Sequence, residues 1–467
     1  MLNPRQRLRP RLPLLGDAPA FRQDLLAALA RGRFEQGDVA RYRLGPVEVY
    51  GVSSPEVAER VLTDSDTFGK LGPDNPLRLA LGDGLLTRSD HESWLRNRRM
   101  VAPIYHRRRV EAMYATMQEC VEEMLARWDA ELAPGAVIDL HTQLMHVTLD
   151  IVSRCMFSTP MISADSALRP ESVEYAVTYT FLRLQNPAAP PTWVPTPANR
   201  RFGTIIGGLD DLMATMITER RQELAAGLPG KEDLLDMLMQ ATDADTGDRM
   251  SDVELRDEII TTLAAGHETT AITLTWAFYL LSINPGWRRR VIEEVDTVLG
   301  GRPPTVADLP RLPLIGQVFD EALRMFPSSP TVPRQTRKPV RLGPYDIEVG
   351  SRILIDVHGL HRNRRHWPDP DVFDPLRFSP EGRAGRSRWA HLPFGGGPHL
   401  CVGKQFALQE AQLLLASILG RYDIRHHPGY PVDNRATITL RPRHGLHVVL
   451  HPRIAPARLT PALPKVA

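Results

Sequence analysis

Pro393-Phe394-Gly395-Gly396-Gly397-Pro398-His399-Leu400-Cys401-Val402-Gly403 is the stretch whose reading decides the fold. Three consecutive glycines let the backbone take positive φ angles and approach a flat ligand closely, and Pro398 restricts the turn that follows. Cys401 then opens a helix expected from Val402 to about Leu419, with Phe406, Leu413, Leu414 and Ile418 as its apolar stripe. A thiol at a helix N-terminus meets the positive end of the macrodipole and free N–H donors, which favour its thiolate. Read alone, the stretch is more readily a buried free cysteine beside a glycine turn, because free cysteine is commonly buried.

In its pattern the stretch resembles the haem-binding loop of the cytochrome P-450 family, Phe-Gly-x-Gly-x-(Arg or His)-x-Cys-x-Gly. Phe394, Gly395, Gly397, His399, Cys401 and Gly403 all fit it. The resemblance implies a mainly α fold with small antiparallel β-sheets around one haem b (iron protoporphyrin IX). Cys401 would be the axial iron ligand, Phe394 would pack near the sulfur, and His399 would meet a propionate where most relatives carry Arg. Thiolate is the form in which cysteine holds haem iron.

Composition bounds the rest. The chain has 467 residues, 42% hydrophobic and 24% charged, with a net charge of +2. That is ordinary for a soluble globular protein and argues against a dedicated nucleic-acid binder. Cys120, Cys155 and Cys401 are too few and too scattered for a disulfide framework or a zinc site, so a reducing cytoplasm is expected. Proline is in excess, 41 of 467 against a usual share of about 5%, so many turns are rigidly specified. Met1 to Pro19 holds no apolar run long enough for a signal peptide or a spanning helix. Lacking an anchor of the microsomal kind, the chain looks like a bacterial member of the family.

Upstream, Tyr42, Leu44, Val47 and Val49 alternate around Gly45-Pro46 and predict a hairpin from Ala40 to Gly51, with a helix from about Pro55 to Thr63 after it. Phe68 to Arg88 is irregular, and loops of that length are often functional. Asp90 is a plausible N-cap for a helix that places Trp94 and Arg98 on one face. In the family such a pair hydrogen-bonds a propionate. His106-Arg107-Arg108-Arg109 is the densest basic run. It is either a solvated face or, by the resemblance, part of the surface that steers an acidic ferredoxin. Helices are expected at Arg109 to Leu132, His141 to Phe157, about Ser172 to Gln185 and Arg200 to Ala226. Between the last two, five prolines stiffen the loop from Asn186 to Pro197. The resemblance makes this unit the roof of a substrate pocket, with Trp193 in the lid or against a membrane surface.

Ser251-x-x-Glu254 is a capping box, and helical character then persists until Asn284-Pro285. The helix would span roughly 50 Å. His267 and Glu268 at mid-span exclude a membrane helix, because ionisable groups there are expensive. Ala264-Ala265-Gly266-His267-Glu268-Thr269-Thr270 resembles the family's oxygen-activation motif. That gives Thr269 a stabilising hydrogen bond and Glu268 a proton relay, with Gly266 permitting a local widening of the helix. The acid–alcohol pair favours a monooxygenase driven by dioxygen and electrons.

Glu321-Ala322-Leu323-Arg324 matches the family's Glu-x-x-Arg, and Arg377 supplies the third, structural member. Arg334 matches a propionate-contacting position. Ala264, Ala265, Ser328, Thr331 and Val332 would line the substrate pocket. Val340–Leu342, Tyr345–Ile347 and Arg352–Val357 predict a small sheet, and Thr437–Arg441 with Leu446–Leu450 a terminal hairpin. Motifs in family order along nearly the whole chain imply one domain over residues 1–467, with loose ends at 1–19 and 453–467. The expected activity is insertion of one oxygen atom from dioxygen into an apolar small molecule: a fatty acid, terpenoid, carotenoid or the like. Electrons would come from NAD(P)H through a separate ferredoxin and ferredoxin reductase, or a flavodoxin. Two rivals remain, a haem-thiolate peroxygenase or isomerase, and a non-catalytic haem-binding sensor.

Overall fold

The structure, a computed structural model, describes residues 14–159, 169–184 and 189–453. Helices account for 56% of the residues, so the architecture is mainly α. Among the described residues no helix is long and apolar enough to cross a membrane.

Asp252–Ile283 is the axis of the molecule. Ser251 and Glu254 close the reciprocal capping box that starts it. Between Leu255 and Leu281 it is buried over most of its circumference, Ala265 being exposed, which explains why its sequence lacks an amphipathic stripe. Helix Leu140–Phe157 packs along it, and Gly266 sits at the crossing. A Cβ there would lie 2.9 Å from Val152 Cγ2. The helix runs unbroken through Gly266, so the glycine serves close helix packing and the expected widening is absent. Helices Tyr114–Glu131, Pro197–Ala225, Pro313–Met325 and Lys404–Arg421 complete one continuous apolar cluster around this axis.

The strands lie in four sheets. The largest has the order β1(Val39–Leu44)-β2(Val47–Val52)-β8(Arg352–Asp356)-β5(Thr331–Thr336)-β3(Phe68–Gly69), with β2 and β8 parallel and the other pairs antiparallel. The predicted hairpin is thus β1–β2, in register Ala40↔Gly51. β6(Val340–Leu342) and β7(Tyr345–Ile347) pair only with each other, while β8 joins the large sheet instead of theirs. β4(Val137–Asp139), β12(His447–Pro452) and β9(Tyr422–His426) form the third sheet. The expected terminal hairpin also differs: β11(Leu440–Pro442) turns back on β10(Asn434–Ala436), because Thr437 N–H bonds the Thr439 carbonyl at 2.8 Å and closes a tight loop.

Other boundaries shift slightly. The helix expected from Arg109 breaks at Met113, whose N–H is shared between the Arg109 and Val110 carbonyls at 3.2 Å. Pro170–Leu184 and Pro197–Ala225 each begin earlier than expected. Both described ends are tied down: Asp17 N–H donates to the Arg43 carbonyl at 2.6 Å, and Arg453 donates to the Leu419 carbonyl at 2.6 Å. The rest of the ends expected to be loose, and Asn186 to Ala188 of the proline-rich loop, lie outside the described residues.

Behind the cysteine loop, Glu321 and Arg324 pair at 2.6 Å with no exposure on either side chain. Arg324 also donates to the carbonyls of His361 (3.1 Å), Pro370 (2.7 Å) and Val372 (3.3 Å). Glu321 accepts the Asp374 N–H at 2.9 Å, and Arg377 approaches it to 3.6 Å. One buried ion pair therefore stitches three loop carbonyls to a helix. Glu321→Gln leaves Arg324 buried without its counter-ion and should lower stability by about 3–5 kcal/mol, seen as a large drop in the denaturant midpoint. A midpoint within the range of surface substitutions would contradict this account.

Candidate active site

The loop carrying Cys401 is shaped by its glycines. Gly395 and Gly397 have φ of 71° and 65°. A Cβ on Gly397 would stand 2.0 Å from the Leu62 carbonyl oxygen, and one on Gly396 2.5 Å from the Trp389 ring. The loop is thereby clamped between helix Pro55–Thr63 and Trp389, and Cys401 N–H donates to the Phe394 carbonyl at 3.0 Å. Phe394 itself is half-buried against the core, with Lys404 Nζ 5.7 Å from its ring centre.

Helix Lys404–Arg421 begins after Gly403, later than the expected Val402. Cys401 therefore lies just ahead of its first turn, where the Gly403 N–H meets the sulfur. Burial raises the thiol above its ordinary range; the Gly403 N–H, Arg98 and Lys404 pull the other way without cancelling it. A metal ion supplies the missing charge when it displaces the proton. Surrounding protein atoms desolvate the thiol, yet Cys401 keeps exposed surface, whereas Cys120 and Cys155 are buried.

Positive charge collects beside this loop. Trp94 packs against His399 with ring centres 4.0 Å apart and planes tilted by 53°, and Lys70 Nζ lies 5.4 Å from the Trp94 ring centre. Arg98 donates to the Leu400 carbonyl at 2.9 Å. Arg334 is 6% exposed and its Nε has no partner; His399 Nδ1 is likewise buried and unpartnered. Among the described residues no carboxylate forms an ion pair with Lys70, Arg98 or Arg334. Burial, with Arg334 nearby, brings Lys70 down to about 7. Burial lowers Arg334 to about 10. His399 falls to about 3 through burial and the adjoining Lys70 and Arg334, so it is neutral. Lys70, Arg88, His91, Trp94, Arg337 and His399 line one crevice here. Several cationic donors lacking counter-ions, with orphaned N–H groups beside a cysteine loop, fit the paired carboxylates and thiolate-held iron of a haem.

Sequence reasoning missed Lys70. A single lysine after Phe68-Gly69 in an irregular stretch carries no local signal; only the fold brings it to Trp94 and His399.

On the central helix the acid and the alcohol part company. Thr269 Oγ1 donates to the Ala265 carbonyl at 2.9 Å, which leaves its lone pairs free to accept. Ala265 is exposed, and Ala264 is 7% exposed. Glu268 is buried and turns toward the β10–β11 loop, where Thr439 Oγ1 donates to it at 2.8 Å and Arg441 Nη1 stands 3.8 Å away. Burial raises its carboxyl despite Arg441 and Thr439. Next to it, burial holds His267 down to about 4.

Ser328 is buried, and its carbonyl accepts the Leu440 N–H at 3.0 Å. Thr331 and Val332 begin β5 and project from opposite faces, as strand neighbours must. Val332 packs against the apolar core of the large sheet. The basic run from His106 to Arg109 is exposed, with Arg107 paired to Glu111 at 2.8 Å.

Comparison with known proteins shows which family the whole chain resembles. A sequence model described as Cytochrome P450 matches residues 7–448. Cyclooctatin synthase of Streptomyces melanosporofaciens is 37% identical, covering 92% of this chain and 92% of that protein. Cyclooctat-9-en-7-ol 5-monooxygenase of the same organism is 33% identical over 90% of this chain and 89% of its own. Pentalenene oxygenase of Streptomyces avermitilis is 34% identical over 92% and 91%. A crystal structure titled cytochrome P450DA heme domain superposes with a TM-score of 0.84 at 28% identity, covering 96% of this chain and 97% of that one.

If Lys70 holds a propionate, Lys70→Met should speed haem loss to a scavenging apoprotein by about tenfold at slightly acid pH. Lys70 in the haem-free chain loses its proton as pH rises through about 7 and must regain it to pair. The wild-type advantage should therefore shrink in alkaline buffer. Equal rates at every pH would contradict this placement.

Proposed function

The chain belongs to the cytochrome P450 family and is a haem-thiolate monooxygenase, and from that premise we propose that its substrate is a terpenoid. The observation that supports this choice is the match, over nine-tenths of the chain, to oxygenases of cyclooctat-9-en-7-ol and pentalenene. It narrows the apolar small molecule read from the sequence to a hydrocarbon ring system or its alcohol.

Bound haem supplies the iron at which dioxygen is taken up and reduced. Overall, the substrate gains one oxygen atom, the other leaves as water, and two electrons and two protons are consumed. The remaining work falls to the chain. In our reading, Cys401 ligates the iron as thiolate, with the Gly403 N–H and the positive end of helix Lys404–Arg421 balancing its charge. Trp94, Arg98, Arg334 and His399, with Lys70, would hold the carboxylates of the haem. Phe394 shields one side of the sulfur. Ala264, Ala265 and Thr331 offer short side chains toward the substrate.

Thr269 and Glu268 divide the proton chemistry. The Thr269 hydroxyl is available as an acceptor and donates only when it leaves the Ala265 carbonyl. Glu268 holds its proton more firmly than an exposed carboxyl because it is buried. A buried acid that holds its proton more firmly, next to the alcohol in sequence, suits proton delivery. Glu321, Arg324 and Arg377 remain structural in this scheme.

For the rest of the pathway we propose a ferredoxin with its NAD(P)H-dependent reductase as electron source. The exposed Arg108 and Arg109 support this, since they offer an acidic carrier a basic face. A cytoplasmic setting and a single domain over residues 1–467 belong to the same proposal.

Two measurements bear on it. Optical titration of the iron spin state with cyclooctat-9-en-7-ol, a fatty acid and a steroid should rank the terpenoid tightest; a steroid or fatty acid bound more tightly would overturn the substrate class. Thr269→Ala should keep that binding while product per NAD(P)H falls by about tenfold or more and hydrogen peroxide rises. Unchanged coupling would remove Thr269 from the mechanism.

A further inference from the structure

Glu268 does not stand alone in its cavity. Arg441 on β11 is 7% exposed and lies between two carboxylates. Its Nη1 is 2.5 Å from Glu174 on helix Pro170–Leu184 and 3.8 Å from Glu268 on the central helix. Its Nη2 donates to Thr178 Oγ1 on the same helix as Glu174 at 3.0 Å. Glu174 reaches solvent, its side chain 37% exposed, while that of Glu268 is 6% exposed.

Counting charge around the cluster decides the state of the pair. From the β10–β11 loop come Arg441, Thr439 and, acting on Glu174, Arg435. Helix Pro170–Leu184 adds Glu171 beside Glu174. Helix Leu140–Phe157 brings His141 near Arg441, and the central helix brings His267 near Glu174. Burial holds both histidines down to about 4, so neither carries charge at neutral pH. Two carboxylates thus share one buried guanidinium, which sits closer to Glu174. Like charges that share a site cannot both ionise freely. The proton falls to the carboxyl that is deeper and further from the cation.

We propose that Arg441 is a positioning residue for Glu268 and that Glu174 competes for it, so that Arg441 seated on Glu174 leaves Glu268 as the protonated member. This rests on the role given to Glu268 above and deepens it. Glu174, Thr439 and Arg441 then form a proton-loading station assembled around Glu268 from two elements that lie outside both the acid–alcohol motif and the cysteine loop. Any displacement of helix Pro170–Leu184 withdraws Glu174 and hands Arg441 to Glu268.

The two carboxylates make opposite predictions for opposite substitutions. Glu174→Gln frees Arg441 for Glu268, so Glu268 should ionise at lower pH, by about one unit or more. Arg441→Gln removes the cation, so Glu268 should ionise at higher pH by a similar amount. The readout is the infrared carboxylic-acid C=O band of the haem-loaded protein that Glu268→Gln abolishes, followed against pH. This requires neither substrate nor redox partner. Shifts in opposite directions support the proposal. Shifts in the same direction, no shift, or no band assignable to Glu268 at neutral pH overturn it. If Arg441→Gln does not fold, Arg441→Lys replaces it, and the Glu174→Gln midpoint decides alone. Product per NAD(P)H, measured on Glu268→Gln with cyclooctat-9-en-7-ol, separates the two levels: unchanged coupling contradicts the catalytic role of Glu268, while the band titrations still judge Arg441 and Glu174.

Discussion

Positive charge that, among the described residues, forms no ion pair with a carboxylate is the constraint on which the cysteine side of this molecule depends. Lys70 and Arg334 lie far apart in sequence, yet the fold brings both to the neighbourhood of His399 and holds them there against desolvation. Burying uncompensated cations is costly, so the surrounding structure has to be rigid enough to impose it. That rigidity has visible sources. The Gly397 backbone fits against the Leu62 carbonyl with no room for a Cβ, and Arg324 fixes three loop carbonyls behind. The same charge that destabilises the chain alone favours an anionic ligand, so haem binding and folding reinforce one another.

Across the site, the central helix solves a different problem. An acid useful for proton delivery must be shielded from bulk water yet remain close to the alcohol it serves. Adjacent helix positions point about 100° apart, because 3.6 residues make a turn. Glu268 therefore faces the β10–β11 loop while Thr269 bonds back to Ala265. The two side chains thus leave the helix in different directions, Glu268 into a buried polar pocket and Thr269 along its own helix.

Much of this was legible in the sequence wherever the determinant is local. The Ser251–Glu254 capping box, the Asp90 cap with its 2.9 Å bond to Ser93 N–H, and the glycine pattern before Cys401 are short-range features that survive folding unchanged. Trp94 and His399 could be paired only through the family resemblance, since their contact spans the chain. Long-range features were not legible. Lys70, Thr439 and Arg441 have no motif around them, and their meaning comes entirely from partners on other elements. Gly266 was noticed but given the wrong cause, because its neighbour Val152 belongs to another helix. For Cys401 the place ahead of a helix was readable, while the desolvation that raises its thiol comes from elements distant in sequence.

The central claim is that Cys401 is the ligand that turns this fold into an oxygenase. Its most direct test is the absorption spectrum of the reduced, carbon monoxide-bound protein before and after Cys401→Ser. The wild type should show the red-shifted Soret band of a thiolate-ligated haem, and the variant should lose that band while still binding haem through its cationic residues. A red-shifted band that survives the substitution would contradict the account.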